Sequence, residues 1–238
     1  MSLHFRACSR GHVAAPVSCP RRRRQTGAAP VTARFIVFEG IDGSGTSTQA
    51  AVLHRALVAA GHRAAITAEP SEGPVGHLIR EINTGRVHVH HDKEIVDRHM
   101  AYLFAADRYD HLHNDVDGIL LRMASGFTVI STRYYLSSYA YNTHTKEDIE
   151  LVRVLNAAFP APDLTFYFEC PPEVSYARIQ AAGRSPDRNE TMQNLIRVQS
   201  SYRTALAAYT GRVERIDATQ PSEAIHAQIL QHVVPLVA

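Results

Sequence analysis

The stretch from Phe35 to Gln49 constrains the fold more than any other part of the chain. It begins with four apolar residues, Phe35 to Phe38, which indicate a buried strand. A turn that contains three glycines follows, and a helical pattern starts at Ala50. A strand joined to a helix by a short glycine-rich turn is typical of proteins in which strands and helices alternate.

The rest of the chain repeats this alternation. Further strands are predicted at residues 62–69, 127–131, 164–168 and 213–216, with helical patterns between them. Strands separated by helical segments of this length form a parallel sheet that is covered on both faces. We therefore predict an α/β fold, with one domain over residues 34–238 and a five-stranded parallel sheet flanked by helices.

The longest helix is predicted over residues 91–113, and the closing helix over residues 222–232. The apolar periodicity of the long helix places four residues on its buried side. These four are Ile95, His99, Leu103 and Phe104.

Residues 1–33 differ in composition from the rest of the chain. They contain six arginines and no acidic residue, and they lack a periodic apolar pattern, which predicts a disordered basic extension. Two interpretations stay open. The extension is either an arginine-rich targeting peptide for an organelle or non-native sequence added by an upstream start codon, which is the interpretation we favour.

Composition argues against several kinds of function for the remaining residues. They carry 19 basic and 23 acidic side chains, so their charge does not indicate general binding of nucleic acid. No apolar run reaches the roughly 18 residues that a membrane-spanning helix needs. The three cysteines, Cys8, Cys19 and Cys170, do not form a disulfide framework and favour a reducing compartment such as the cytoplasm.

The glycine-rich turn has the residues of a phosphate-binding loop. In the spacing Gly40-x4-Gly45-x-Ser47, the backbone N–H groups can converge on phosphate oxygens at a helix N-terminus. The Ser47 hydroxyl is placed to hold Mg²⁺. Thr46 stands where such loops carry lysine, and a unit charge pair at roughly 4 Å is worth about 4 kcal/mol at an effective dielectric constant of about 20. Lysine is scarce in this chain, so we expect arginine to supply the missing charge.

Four motifs occur in order along the chain: FEGIDGSGTSTQ from Phe38, AADRY from Ala105, STRYYLSSYAYN from Ser131 and RSPDRNE from Arg184. Together they resemble the thymidylate kinase family, whose members transfer a phosphoryl group from ATP to dTMP. The resemblance implies a three-layer P-loop kinase fold with a monophosphate pocket and a small mobile lid. It also implies Mg²⁺ bound with ATP, and a homodimer.

For the donor nucleotide, the resemblance implies that the glycine-rich loop holds the phosphates of ATP. The residues involved would be Gly40, Ile41, Asp42, Gly43, Ser44, Gly45, Thr46 and Ser47. Asp42 would also lie near the acceptor phosphate or a metal-bound water, which makes it a candidate catalytic residue and, with Ser47, a candidate metal ligand. Some family members carry a basic residue right after this aspartate. Position 43 is glycine here, so the lid would have to supply that charge.

For the acceptor, the resemblance implies a dTMP pocket built from the second and third of these motifs. Phe104 would stack on the thymine ring, and Arg108, one helical turn later, would hydrogen-bond the base edge. Arg133 follows the third strand at the carboxyl edge of the sheet, where it would hold the dTMP phosphate as a catalytic residue. Ser138 would lie near the base, and Tyr141 against the sugar, where its ring disfavours a 2′-hydroxyl.

The nucleophile of such a reaction is already anionic, so catalysis would depend on positioning and charge neutralisation. Arg184 and Arg188, in a polar loop between two helices, would be catalytic lid arginines. Thr132 stands where the family has an acid, and Asn142 where it more usually has glutamine. Because Thr46 and Thr132 both depart from the family pattern, two alternatives stay open: a regulatory nucleotide-binding pseudokinase, and a kinase for another deoxynucleoside monophosphate.

Overall fold

The structure is a computed structural model that describes residues 33–183, 187 and 189–238. The strands of the described chain are β1 (Phe35–Gly40), β2 (Ala64–Ala68), β3 (Thr128–Thr132), β4 (Leu164–Glu169) and β5 (Val213–Asp217). The helices are α1 (Thr46–Ala59), α2 (Pro74–Asn83), α3 (Lys93–His113), α4 (Ile119–Ala124), α5 (Tyr135–Tyr141), α6 (Lys146–Asn156), α7 (Pro172–Ala181), α8 (Met192–Ala208) and α9 (Ser222–Val237). The predicted basic extension lies outside the described residues apart from Ala33, and it stays a prediction.

The five strands form one parallel sheet in the order β2-β3-β1-β4-β5. β1 is central, because Phe38 pairs with Thr132 of β3 on one side and with Phe166 of β4 on the other. Ligands of open α/β sheets bind at the carboxyl ends of strands, where the strand order reverses as it does at β1. The predicted α/β class and five-stranded parallel sheet are confirmed.

β1 is buried on both of its faces. Ile36 and Phe38 pack in one core cluster with Leu53 of α1, whereas Phe35 and Val37 belong to a second cluster that includes side chains of α3 and α4. Successive side chains of a strand point to opposite faces of the sheet. The sheet is therefore the middle of three layers, as predicted.

α3 turns a different face to the core from the predicted one. Leu103 and Phe104 are half-buried, as expected, but Ile95 and His99 are exposed, so the prediction was wrong for these two. The buried stripe instead includes Val96, one position further along, because α2 packs against that face. Periodicity located the helix but did not say which neighbour would cover it.

α9 continues to Val237, beyond the predicted end at position 232, although Pro235 lies inside it. A proline in a helix removes one hydrogen bond and crowds the preceding turn. Val233 and Val237 are buried in the core on either side of this proline, and each such burial contributes roughly 1.5–3 kcal/mol, which offsets the lost bond. Neither α9 nor any other helix of the described chain is long and apolar enough to cross a membrane.

Candidate active site

The glycine-rich loop joins β1 to α1 at the carboxyl edge of the sheet. Gly43 and Gly45 have φ values of 78° and 95°, in a region that residues with a side chain rarely adopt. A Cβ atom at Gly43 would lie only 2.5 Å from the carbonyl oxygen of Ser175 in α7. The Ser44 hydroxyl is buried and has no hydrogen-bond partner among the described residues. The loop thus combines a tightly curved backbone with an unpaired polar group.

Thr46 and Ser47 begin α1. The first turn of this helix contains no acidic residue, so the positive end of its dipole is not neutralised locally. Thr46 is half-buried, whereas Ser47 is exposed and lines a cavity of about 630 Å³ together with Thr132 and Ser71. The hydroxyl predicted to hold Mg²⁺ and the threonine that replaces the expected acid therefore line the same cavity.

Arg133 lies directly after β3 and has a φ of 71°, a strained value for a residue with a side chain. Its backbone N–H donates to the carbonyl of Phe38 in β1 at 2.8 Å. Its guanidinium donates to Asp42 Oδ1 at 2.5 Å and to Ser137 Oγ at 3.2 Å. The hydrogen bonds of the Arg133 backbone N–H and of its guanidinium together hold this backbone conformation. The conformation brings the guanidinium to the glycine-rich loop.

Tyr141, the last residue of α5, joins Asp42 and Arg133 in a hydrogen-bonded triad. Its hydroxyl donates to Asp42 Oδ2 at 2.9 Å, and accepts from Arg133 Nη2 at 3.1 Å and from the Asp42 backbone N–H at 3.2 Å. Burial raises the pKa of Tyr141 well above its ordinary value, so the phenol keeps the proton that it donates. Three residues predicted from two separate motifs thus contact one another.

Glu39, near the end of β1, lies fully buried behind this triad. Its carboxylate accepts hydrogen bonds from Ser137 Oγ at 2.6 Å, Tyr202 OH at 2.9 Å and the Tyr134 backbone N–H at 2.9 Å. Burial raises the pKa of Glu39, against the opposing hydrogen bond from Ser137 and the charge of Arg133. The carboxylate therefore links β1 to both α5 and α8.

The triad borders a cavity of about 300 Å³, within the size range of small-molecule sites. Five residues predicted for the site line this cavity: Asp42, Phe104, Arg133, Ser138 and Tyr141. The other lining residues are Pro70, Arg80, Asn83, Thr84, Asp97, Met100, Ser137, Asn142, Asp187 and Asn189.

Arg108 lies behind this cavity. It is buried, with 1% of its surface exposed, and its Nε atom donates to Glu69 Oε2 at 2.9 Å. Its other nitrogens contact Asn156 and, at 3.3 Å, Ser138 Oγ. In this structure the guanidinium supports the cavity wall through Ser138, and a direct contact with a base edge stays a prediction.

Asp97 and Asn83 line the cavity but were not singled out in the sequence. Asp97 is buried on α3 and accepts from Lys93 Nζ at 2.5 Å and contacts His144 Nε2 at 2.8 Å. A signal for Asp97 existed, because it lies seven residues before Phe104 and so on the same helix face. Asn83 comes from α2, whose position beside α3 depends on long-range packing that no local pattern encodes.

The predicted lid arginines, Arg184 and Arg188, lie outside the described residues, and their roles stay predictions. Two other residues of the same loop, Asp187 and Asn189, line the cavity. Burial raises the pKa of Asp187 to about 6; the backbone N–H of Asn189 opposes this shift, and the charge of Asp42 adds to it. A carboxyl that titrates near neutral pH thus borders the same cavity as Asp42.

This shift predicts a pH dependence of stability. Because folding raises the pKa of Asp187 from 3.8 to about 6, its stabilising contribution is fully present below pH 3.8 and is lost as the pH rises through 6. The free energy of unfolding of the wild type should therefore fall between pH 5 and pH 7 by on the order of 1 kcal/mol more than that of Asp187→Asn. Urea unfolding at both pH values measures this difference. Asp115→Asn, at an exposed position, is the control, and identical pH dependences of wild type and Asp187→Asn would contradict the prediction.

Comparison with known proteins agrees with this geometry. The thymidylate kinase family model matches residues 38–229. The probable thymidylate kinase of Pyrobaculum aerophilum is 36% identical over 199 residues, which cover 83% of this chain and 94% of that protein. The putative thymidylate kinase of Treponema pallidum is 36% identical over 203 residues, with 83% and 93% covered. The thymidylate kinase of Xanthomonas oryzae pv. oryzae is 34% identical over 169 residues, with 71% and 70% covered.

The matched span runs from the end of β1 into α9, so it includes the glycine-rich loop, the triad and the cavity in one collinear alignment. A five-stranded parallel sheet with a glycine-rich loop after its first strand is what the resemblance of the four sequence motifs implied. On the agreement of sequence, fold and relatives, this chain belongs to the thymidylate kinase family.

Proposed function

We propose that this protein transfers the terminal phosphoryl group of ATP to dTMP, giving dTDP and ADP. The observation that carries the proposal is the triad of Asp42, Arg133 and Tyr141, which joins the glycine-rich loop to the cavity. Phosphoryl transfer requires two anionic groups to be held close together and their charge to be neutralised. A cation between a phosphate-binding loop and an acceptor cavity meets that requirement.

In this proposal the loop from Gly40 to Ser47 binds the phosphates of ATP, and the cavity binds dTMP. Arg133 holds the acceptor phosphate, while Asp42 keeps the guanidinium aligned and borders the reacting groups. Phe104 packs on the thymine ring and Ser138 contacts the base. These roles are supported by the position of each side chain on the loop or cavity.

The side chains near the loop fit Mg²⁺ as a cofactor. Mg²⁺ prefers oxygen ligands and usually keeps several waters, and the exposed hydroxyl of Ser47 is a ligand of that kind. Ser47 would hold the ion, with Asp42 as the second candidate, although its carboxylate is paired with Arg133 in this structure. When bound, Mg²⁺ would neutralise negative charge that develops on the phosphates during transfer.

A coupled assay of ADP release, with purified protein, MgATP and dTMP, tests the function. We expect turnover with dTMP that exceeds turnover with dUMP, dCMP or dGMP at the same concentration. Binding of ATP by calorimetry without turnover of any acceptor would contradict the proposal and favour a regulatory pseudokinase. A clear preference for another monophosphate would leave the kinase activity in place and contradict only the assignment of dTMP as the acceptor.

We also propose that the protein is a homodimer that associates through α3. Ile95, Tyr102 and Tyr109 lie seven residues apart on this helix, with exposed fractions of 49%, 53% and 62%. A spacing of seven places side chains along one face of a helix, and an exposed apolar stripe of this kind marks an interaction surface. A two-fold axis would pack the stripe against its own copy.

If α3 forms this interface, Tyr102→Asp should convert the dimer to a monomer, because two aspartates would be buried near the axis without partners. Light scattering coupled to size-exclusion chromatography measures the mass. Val58→Asp, which adds the same charge at an exposed site on α1, should leave the dimer intact. A monomeric wild type, or a variant that stays dimeric, would exclude this interface.

A further inference from the structure

The short helix α5 carries three residues of the cavity and depends on its C-terminal hydrogen bonds. It has seven residues, Tyr135–Tyr141, and the last four carbonyl groups of any helix lack partners within that helix. Two of these are satisfied by the chain that follows directly. The Ser138 carbonyl accepts from the Asn142 backbone N–H at 3.0 Å, and the Tyr139 carbonyl accepts from Thr143 Oγ1 at 2.7 Å.

The other two carbonyls are satisfied by Arg197 of α8, from a distant part of the chain. Arg197 Nη2 donates to the Tyr141 carbonyl at 3.2 Å, and Nη1 donates to the carbonyls of Ala140 and Thr143 at 3.5 and 3.3 Å. A planar guanidinium offers several donors in fixed directions, and its charge favours the negative end of the helix dipole. Arg197 therefore fixes the backbone of Tyr141, whose hydroxyl contacts Asp42.

The same guanidinium is also connected, through Asn194, to a second segment that lines the cavity. Arg197 Nε donates to Asn194 Oδ1 at 3.1 Å, and Asn194 Nδ2 donates to the Asn189 carbonyl at 2.9 Å. Asn189 and Tyr141 both line the cavity, although they come from different segments of the chain. Arg197 and Asn194 connect these two segments from outside the cavity lining.

We propose that Arg197, acting with Asn194, is a positioning residue for the acceptor nucleotide. It sets the distance between Tyr141 and Asn189, and so the width of the cavity into which dTMP fits. This inference rests on the proposed function, because it names dTMP as the occupant. It assigns Arg197 no contact with either substrate.

Arg197 is not needed to hold α8 on the protein. Leu195, Val198 and Tyr202 of α8 are buried in the main core cluster, so the helix stays docked when the guanidinium is removed. Loss of Arg197 should therefore affect the acceptor more than the fold. The glycine-rich loop contacts α8 through Tyr202, which the substitution leaves in place.

The test measures steady-state kinetics of Arg197→Gln, Arg197→Lys, Asn194→Ala and the double variant Arg197→Gln with Asn194→Ala. Since small displacements of positioning groups have large effects on rate, we expect Arg197→Gln to raise KM for dTMP about ten-fold. KM for ATP should change less than about two-fold, because the loop keeps its contacts. Arg197→Lys should recover part of the loss, because it keeps the charge but not the planar fork. KM for dTMP in the double variant should be no higher than in the more impaired of the two single variants, because both substitutions break the same connection.

Arg153→Gln is the matched control, because Arg153 is exposed and pairs only with Glu150 among the contacts described. Equal increases of both KM values, or single effects that multiply in the double variant, would overturn the proposal. If Arg197→Gln unfolds at assay temperature, Arg197→Lys and Asn194→Ala give the same comparison. Wild type without dTMP turnover would instead contradict the proposed function, so the two failures are distinguishable.

Discussion

Replacement of Arg133 by methionine is expected to lower kcat/KM for dTMP by about 10³-fold. The change removes the guanidinium that contacts Asp42, Ser137 and Tyr141 and that is proposed to hold the acceptor phosphate. Methionine matches the unbranched aliphatic part of arginine and meets the same backbone strain at a φ of 71°, so the loss reports on the guanidinium. Initial rates over a range of dTMP concentrations measure the effect.

Two further variants make the Arg133 experiment specific. Arg133→Lys should recover only part of the rate, because an ammonium keeps the charge but cannot contact Asp42 and Tyr141 through a planar fork. Arg212→Met, at an exposed arginine that pairs with Glu214, should retain full activity. A loss of less than about ten-fold in Arg133→Met would show that another group neutralises the acceptor phosphate.

The second large effect is expected on stability. Glu39→Leu should lower the free energy of unfolding by about 3 kcal/mol, because it removes the buried carboxylate that accepts from Ser137, Tyr134 and Tyr202. Leucine has a similar volume, so the effect does not depend on a large cavity. Urea unfolding followed by circular dichroism gives the difference.

Glu223→Leu provides the comparison for this experiment, because Glu223 is exposed in the first turn of α9. Its effect should stay within about 0.5 kcal/mol. Glu39→Gln should be milder than Glu39→Leu, since its amide keeps an acceptor oxygen for the same donors. Equal stability of wild type and Glu39→Leu would mean that the buried network contributes nothing net to the fold.

The parts of this molecule that were predicted from sequence are those encoded locally. The strand, glycine-rich turn and helix around Gly40 have a pattern of their own, and Arg133 could be placed at the sheet edge because it follows a β-branched strand. Phe104 and Tyr141 were identified through motifs and do line the cavity. Each of these predictions needed only a few adjacent residues.

The parts that were missed or misplaced depend on distant segments. Ile95 was expected to be buried, but the packing of α2 decides which face of α3 is covered. Glu69, which follows β2 directly, holds the Arg108 guanidinium, a partner that the Arg108 motif did not indicate; the contact of Arg108 with a base edge stays a prediction. Arg197 drew no notice in the sequence, because the carbonyl groups at the end of α5 to which it donates are more than fifty residues away. Long-range pairing of this kind leaves no periodic signal.

Gly43 bears on how such a protein could acquire a different source of positive charge. A side chain at this position would meet the Ser175 carbonyl of α7 at 2.5 Å, and the positive φ penalises any residue other than glycine. A mutation to lysine or arginine here would therefore damage folding before it could help catalysis. Placing a charge at position 43 requires concerted change in α7, which puts that route more than one substitution away from the present chain.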